Sequence, residues 1–153
     1  MSSAPAALQA GTEMDAQSPP SRVAAVNETT RMVIAEHVRR TDTYLTRLIG
    51  LMGRKQLGPD EGLWISPCKG IHTMWMRFPI DVVFLDEDFT VVSLRERVAP
   101  WRVTRVIRSA ASVLELPAGA IQRTGLTVGH RLGFLAASDD LQPRADERGR
   151  EVQ

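Results

Sequence analysis

Apolar residues recur along most of the chain in short runs that are rich in Val, Ile and Leu and separated by turn residues. Such runs are typical of β-strands. After the turn-rich segment 58–62 they read GLWIS, TMWM, IDVVFLD, FTVVSLRERV, VTRVIR, SVLEL and HRLGFLAA. An earlier run, RMVIAEHV at 31–38, also predicts a strand. Because helix-length periodicity does not return after position 62, we interpret segment 119–125 as a turn between strands.

One segment has the spacing of an amphipathic helix instead. Between positions 42 and 53, apolar side chains recur three or four residues apart, at Leu45, Leu48, Ile49 and Met52. Thr41 or Asp42 can cap its start, and Gly53 stands where a left-handed stop is favoured. The whole pattern predicts a mainly β (α+β) fold, either a β-sandwich or a small barrel, with one short N-terminal helix.

Composition divides the chain into one domain and two tails. The 153 residues are 43% hydrophobic and 24% charged, as in ordinary globular proteins. Residues 1–24 are rich in Ala, Ser, Gln and Pro, and residues 138–153 hold eight charges and one Leu. Neither stretch has enough apolar surface to offset the entropy of ordering it. We therefore predict a single globular domain at 25–137 between two disordered tails, the second of them charged.

The net charge of +1 hides a separation along the sequence. Residues 31–137 hold 15 Lys and Arg against 10 acids, giving +5. Residues 1–30 hold one against three and residues 138–153 hold three against five, giving −2 each. A basic domain attracts anions. The near-neutral total excludes indiscriminate polyanion binding and leaves a small polar or anionic ligand as the expected partner.

Cysteine usage and hydropathy are typical of a cytoplasmic, soluble protein. Cys68 is the one cysteine, so the chain has no internal disulfide. The N-terminal stretch lacks the pattern of a secretory signal, and no apolar run approaches the ~20 residues of a membrane helix. We expect no membrane partner, and the oligomeric state stays open.

A carboxylate interrupts the most apolar run of the chain. In a strand over 80–85, Asp81 points to the same face as Val83 and Leu85. A buried carboxylate must be paired, hydrogen-bonded or protonated. Arg77 is a nearby candidate partner and Arg54 a distant one. A structural anchor that accepts loop N–H groups and an arginine is the favoured interpretation, and a functional role is the alternative.

Cys68 and His72 are the candidate catalytic residues. As nucleophile and base, they would make the protein a hydrolase or transferase. As zinc ligands they would need at least one more, and of the histidines only His37 and His130 remain. A buried Cys and a hydrogen-bonded His at the start of a strand is the favoured interpretation. We therefore expect no metal and no cofactor, and we favour a protein without enzymatic activity.

Five arginines crowd positions 95–108, with Trp101 among them and Glu96 as the one acid. Arginine and tryptophan together are typical of sites for single-stranded nucleic acid. Arg102, Arg105 and Arg108 are three residues apart, so they cannot share one face of a regular strand. A solvated strand face is the favoured interpretation, and weak nucleic-acid binding is the alternative.

Four segments together resemble the domain-of-unknown-function 192 family. Residues 47–54, RLIGLMGR, are similar to its helix motif, and residues 61–64, EGLW, to the strand that follows. Residues 71–81, IHTMWMRFPID, are similar to the H-T-x-x-M-R-F-P-I-D variant of its central motif. Residues 113–119, VLELPAG, resemble its late V-L-E-L-x-A-G segment. The order matches, and the resemblance covers roughly residues 30–135.

The resemblance implies a compact, mainly β fold of jelly-roll type with one N-terminal helix. It brings no agreed substrate, cofactor or mechanism. It also implies that five motif residues belong to one constellation: Arg54, Met76, Pro79, Asp81 and Glu115. Arg77 and Phe78 replace the commoner Lys-Asn-Thr, which removes small polar groups.

The sequence as a whole predicts a non-enzymatic β module that binds a small polar or anionic ligand or a partner on a concave surface. Met74, Trp75 and Met76 would alternate between the two faces of a strand, with one face in the core and an aromatic-lined pocket as the alternative. The predicted ligand-binding residues are His72, Met76, Arg77, Asp81, Glu115, Arg54 and Trp75.

Overall fold

A computed structural model describes residues 22–41, 51 and 54–136 of the chain. Nearly half of this part is strand: β1 (Arg22–Asn27), β2 (Met32–Thr41), β3 (Glu61–Ile65), β4 (Ile80–Leu85), β5 (Val91–Val98), β6 (Ser112–Pro117) and β7 (Leu132–Ala136). A short helix, α1 (Ala120–Thr124), follows β6. The predicted mainly β fold is confirmed.

The strands form one sheet in the order β5-β4-β6-β3-β2-β1-β7. β2 and β3 pair in parallel, and the other neighbours pair antiparallel. The sheet curls until its two ends meet. There the Val91 N–H donates to the His130 carbonyl at 2.8 Å, and the Leu132 N–H donates to the Phe89 carbonyl at 2.9 Å. This closure encloses the inner face of the sheet.

The inner face carries the larger apolar cluster. Trp64 of β3 stacks on Phe134 of β7, with 4.0 Å between the ring centroids. Phe89 meets both rings edge to face, so three aromatic side chains fill the region where the sheet ends approach each other. Alternate residues of the central strands complete the cluster, among them Val83, Leu85, Leu114 and Leu116.

Two loops cover the outer face of the central strands. Residues 66–79 connect β3 to β4, and residues 99–111 connect β5 to β6. Beneath them lies a second cluster in which Ile80, Val82 and Phe84 of β4 meet loop residues such as Cys68, Ile71, Met76 and Phe78. β4 is therefore buried on both faces, as its apolar run, interrupted only by Asp81, predicted. These loops position most of the residues that the sequence singled out.

Three local predictions were wrong. TMWM is a turn rather than a strand, because the Met76 N–H donates to the Thr73 carbonyl and folds the chain back. VTRVIR lies in a covering loop, with a single bridge between Val103 and His72. Segment 119–125 contains α1, because a buried carboxylate accepts hydrogen bonds from N–H groups at the start of this helix.

The strands begin earlier than composition indicated. β1 starts at Arg22, so the predicted limit of the tail at residue 24 falls inside a strand whose Val23 and Ala25 join the inner cluster. The predicted N-terminal helix lies outside the described residues, apart from Leu51, which is helical and buried. No helix in the described part is long and apolar enough to cross a membrane.

Candidate functional site

Asp81 is fully buried on the inner face at the start of β4. Its Oδ1 accepts a hydrogen bond from the Arg97 N–H at 2.9 Å. Its Oδ2 accepts two more, from the N–H groups of Gly119 and Ile121 at 3.0 and 2.9 Å. Within the described part of the chain, no arginine side chain pairs with this carboxylate. The geometry is that of an anchor that fixes the end of β5 and the start of α1 to the sheet.

The residues that the resemblance grouped with Asp81 are divided between the faces of the sheet. Glu115 is buried on β6 as the partner of Val82, and therefore points to the outer face, away from Asp81. Met76 is buried in the outer cluster, and Pro79 is exposed. Arg54 lies beside β3, where it forms an ion pair with Glu61. Ligand binding by these residues stays a prediction.

Cys68 and His72 lie in the covering loop between β3 and β4. Cys68 is buried, and its thiol donates to the Gly70 carbonyl at 3.1 Å. His72 is half-buried opposite Val103. No group of three or more His, Cys, Asp and Glu side chains in the described ranges could hold a metal ion. To attack a substrate, Cys68 would first have to be uncovered.

A cleft of about 440 Å³ opens on the outer face beside β1, β2 and β3. Part of the lining is apolar and consists of Leu51, Leu57 and Leu63, which are members of the outer cluster. The rest of the lining is dominated by ionisable side chains, three guanidinium groups, one imidazole and one carboxylate: Arg22, Arg39, Arg54, His37 and Glu61. With three permanent positive charges against one negative charge, the described lining is basic.

The register of the sheet sets two of these cations side by side. Arg22 and Arg39 are direct partners across the antiparallel β1 and β2. His37 is two positions from Arg39 and therefore on the same face of β2. Like charges that face each other on a sheet repel, so this arrangement has an energetic cost. An anion bound over the pair would reduce it.

Glu61 is the acidic member of the cleft. Its carboxylate accepts hydrogen bonds at 2.8 Å from the Gly58 N–H and from Arg54. The Gly58 N–H contributes most to a lowered pKa of Glu61; burial acts in the opposite direction, and the charges of Arg54 and Arg39 lower the pKa further. The carboxylate therefore stays ionised and holds the Arg54 guanidinium at the cleft.

Two exposed tryptophans mark a different surface, on the covering loops. Trp75 is the third residue of the turn 73–76, with φ at 67°, a position that a type II turn normally gives to glycine. Trp101 follows Pro100 in a second turn and has φ at 62°. The two rings meet edge to face, with 4.7 Å between their centroids. Two turns thus present one pair of aromatic side chains.

Thr73 holds these turns together. Its buried hydroxyl donates to the Ala99 carbonyl at 2.7 Å and accepts from the Arg102 N–H at 2.9 Å, so it bridges the two ends of the second turn. Its carbonyl accepts from the N–H groups of Met76 and Trp101 at 3.2 and 3.0 Å. One threonine therefore positions both tryptophans.

The fold gains little from the positions of these two tryptophans. A left-handed backbone costs a residue other than glycine ~1 kcal/mol or more. The side chains of Trp75 and Trp101 remain 58% and 50% exposed, so burial offsets only part of this cost. Strain that packing does not explain is typical of positions kept for a function.

Sequence reasoning identified some of these residues and missed others. Arg54, Trp75 and the segment around Trp101 were singled out, but Arg22 was assigned to a tail and Glu61 was not considered. The pairing of Arg22 with Arg39 depends on strand register, for which the sequence carries no local signal. The second turn had a signal, since Pro100 stands where turns favour proline.

The chain matches a protein family over nearly all of this architecture. The DUF192 model, described as an uncharacterized ACR, matches residues 24–134. A UPF0127 protein of Pyrococcus furiosus is 34% identical over 113 residues, which are 70% of this chain and 94% of that protein. A UPF0127 protein of Thermococcus sibiricus is 31% identical over 117 residues, 71% of this chain and 73% of that protein.

Two solved structures resemble the fold. A protein of unknown function from Novosphingobium aromaticivorans gives a TM-score of 0.63 at 22% identity, over 73% of this chain and 83% of that one. A putative transcription regulator from Sinorhizobium meliloti gives 0.60 at 27% identity, over 74% and 92%. The first shows a shared fold alone. The family model and the archaeal relatives establish that the chain belongs to the DUF192 family.

Proposed function

We propose that this protein is a non-enzymatic binding module that takes a small anionic ligand in the basic cleft beside β1, β2 and β3. The observation that carries the proposal is the direct opposition of Arg22 and Arg39 in a cleft that also holds Arg54. A volume of about 440 Å³ lies in the range of small-molecule sites. The ligand we expect carries a carboxylate or phosphate group, which guanidinium groups bind through paired hydrogen bonds.

The lining favours a ligand with an apolar part as well as an anionic group. Leu51, Leu57 and Leu63 line the cleft together with the charged side chains, so a bound molecule would contact both kinds of surface. Glu61 adds one acceptor and keeps Arg54 in place. This site shares only Arg54 with the residues predicted from the sequence. The alternative of weak nucleic-acid binding concerns another surface, the arginines at 95–108. We also propose that the protein is cytoplasmic.

Inorganic phosphate is the first probe, in a thermal-shift titration of the full chain at constant ionic strength. We expect the midpoint to rise with the logarithm of the phosphate concentration above Kd, because a ligand that binds only the folded state stabilises it by RT ln(1 + [L]/Kd). Arg39→Gln and Arg22→Gln should each weaken the effect several-fold. Arg31→Gln, an exposed arginine outside the cleft, is the matched control and should leave it unchanged. Equal stabilisation of all four proteins would contradict the proposal.

A further inference from the structure

The two covering loops carry an unusual concentration of exposed apolar side chains. Nine large hydrophobic side chains are exposed in the described ranges, and five of them lie on these two loops: Met74, Trp75, Trp101, Val103 and Val106. Their exposed fractions run from 37% at Met74 to 74% at Val103. Exposed apolar side chains that cluster in this way indicate an interaction surface rather than the scatter seen on most proteins. We call these five residues the tryptophan surface.

Every charged side chain in the sequence of these two loops is positive. Residues 66–79 and 99–111 contain Lys69, Arg77, Arg102, Arg105 and Arg108, and no Asp or Glu. Arg102 lies between Trp101 and Val103, and Arg105 between Val103 and Val106. The guanidinium groups of Arg77, Arg102 and Arg105 make no hydrogen bond or ion pair with any described residue. By contrast, Arg54, Arg123 and Arg131 are each held by a protein oxygen.

Both tryptophans stand at the tips of turns in backbone conformations that favour glycine. Thr73 fixes these turns from the buried side, so the rings keep their position without a partner on the exposed side. The tryptophan surface thus combines exposed tryptophan and aliphatic side chains with arginines whose guanidinium groups contact no described residue through a hydrogen bond or ion pair. Such a surface fits a partner that has an anionic outer layer over an apolar interior.

We propose that the tryptophan surface docks onto the surface of an anionic phospholipid bilayer. Tryptophan favours the headgroup level of a bilayer, where its ring contacts apolar chains and its N–H stays in a polar layer. Arginine side chains next to it are attracted by anionic headgroups. Met74, Val103 and Val106 would enter the same layer, whereas they offer nothing to the stacked bases of a nucleic acid. The expectation of no membrane partner rests on the lack of a membrane-spanning segment in the sequence. Docking of two turns onto a bilayer surface needs no such segment.

The experiment measures binding of the full chain to vesicles of phosphatidylcholine alone and of phosphatidylcholine with phosphatidylglycerol. We expect co-sedimentation with the anionic vesicles that weakens as salt increases. We also expect a blue shift of tryptophan emission on binding. Trp64 is buried in the inner cluster and gives a constant background. Binding of equal strength to both kinds of vesicle, or to neither, would overturn the proposal.

A double variant, Trp75→Asn with Trp101→Asn, separates function from folding. Asparagine tolerates the left-handed backbone, so the variant should fold, which circular dichroism and the unfolding midpoint check. It should bind anionic vesicles at least about tenfold more weakly, because the loss of two rings removes most of the apolar contact. Val128→Asn, at an exposed valine outside the tryptophan surface, is the matched control and should bind like the wild type.

Two outcomes would overturn the proposal in different ways. If the double variant binds anionic vesicles as well as the wild type does, the attraction is general adsorption of a basic protein. If the chain binds a single-stranded oligonucleotide with quenching of Trp75 and Trp101 but does not bind vesicles, the tryptophan surface belongs to nucleic acid. Neither outcome depends on the phosphate cleft, because Arg39→Gln leaves the tryptophan surface intact.

Discussion

At the scale of single residues, Asp81 shows how far a sequence can be interpreted. Period-two alternation correctly placed it on one face of a buried strand, with Val83 and Leu85. Its hydrogen-bond partners could not be predicted, because Arg97, Gly119 and Ile121 lie 16, 38 and 40 positions away. Of the two candidate partners, Arg77 is exposed and Arg54 pairs with Glu61. A carboxylate in a core strand can be recognised from sequence, but the groups that satisfy it follow from tertiary structure.

Replacing Asp81 by Asn should destabilise the fold by about 3 kcal/mol, because the amide NH₂ would face a buried N–H donor that the carboxylate satisfied. Urea unfolding of both proteins measures the difference. Asp88→Asn, an exposed acid in the turn between β4 and β5, is the control and should change stability by less than ~0.5 kcal/mol. A similarly small effect at position 81 would contradict the anchoring role.

At the scale of elements, the pattern identified strands well where both faces are buried and poorly where a loop covers the sheet. IDVVFLD and SVLEL correspond to β4 and β6. TMWM has the same alternation, yet Thr73 accepts the N–H groups of Met76 and Trp101 and turns the chain. The Thr73 carbonyl accepts these two bonds, and the Thr73 hydroxyl donates a third to the Ala99 carbonyl. Ala99 lies 26 positions away, so no window of local sequence contains this contact.

The turn that leads into β3 should give the fold a pH dependence. The pKa of Glu61 is lowered, mainly by the Gly58 N–H, from an ordinary value of 4.5. A depressed pKa in the folded state contributes stability above the unfolded value, and this stability is lost as pH falls through the lower folded value. Glu61→Gln should therefore flatten the fall of the urea midpoint between about pH 5 and pH 3.

Arg54→Gln serves as the comparison for that measurement, because Arg54 is only one of the groups that lower the pKa of Glu61, and the Gly58 N–H remains in this variant. It should flatten the pH dependence only in part. If the wild type and Glu61→Gln lose stability in parallel over this range, Glu61 is not the group that titrates.

At the scale of the whole molecule, each face of the sheet is covered by a different part of the structure. The inner face is closed by the curl that joins Val91 to His130, and the outer face by the loops 66–79 and 99–111. The sequence predicted a sandwich or barrel but not this curl, since 39 positions separate the two residues whose backbones meet. The basic cleft is lined by residues of β1, β2 and β3 and of the segment before β3, so its existence depends on how distant strands pair.

Cys68 lies in the covering loop 66–79, and its thiol is buried and donates to the Gly70 carbonyl. The rate at which this thiol is labelled therefore shows whether the loop stays packed on the sheet. We expect a thiol reagent near neutral pH to label native Cys68 at least about 100-fold more slowly than Ser109→Cys, made in a Cys68→Ser background. Ser109 is exposed in the other covering loop, so it reports free access. In rising urea, labelling of Cys68 should accelerate together with loss of circular dichroism, because the loop packs on the same core as β4. Equal labelling rates in the native state would mean an accessible thiol, and would favour the alternative of a hydrolase or transferase that uses Cys68 and His72.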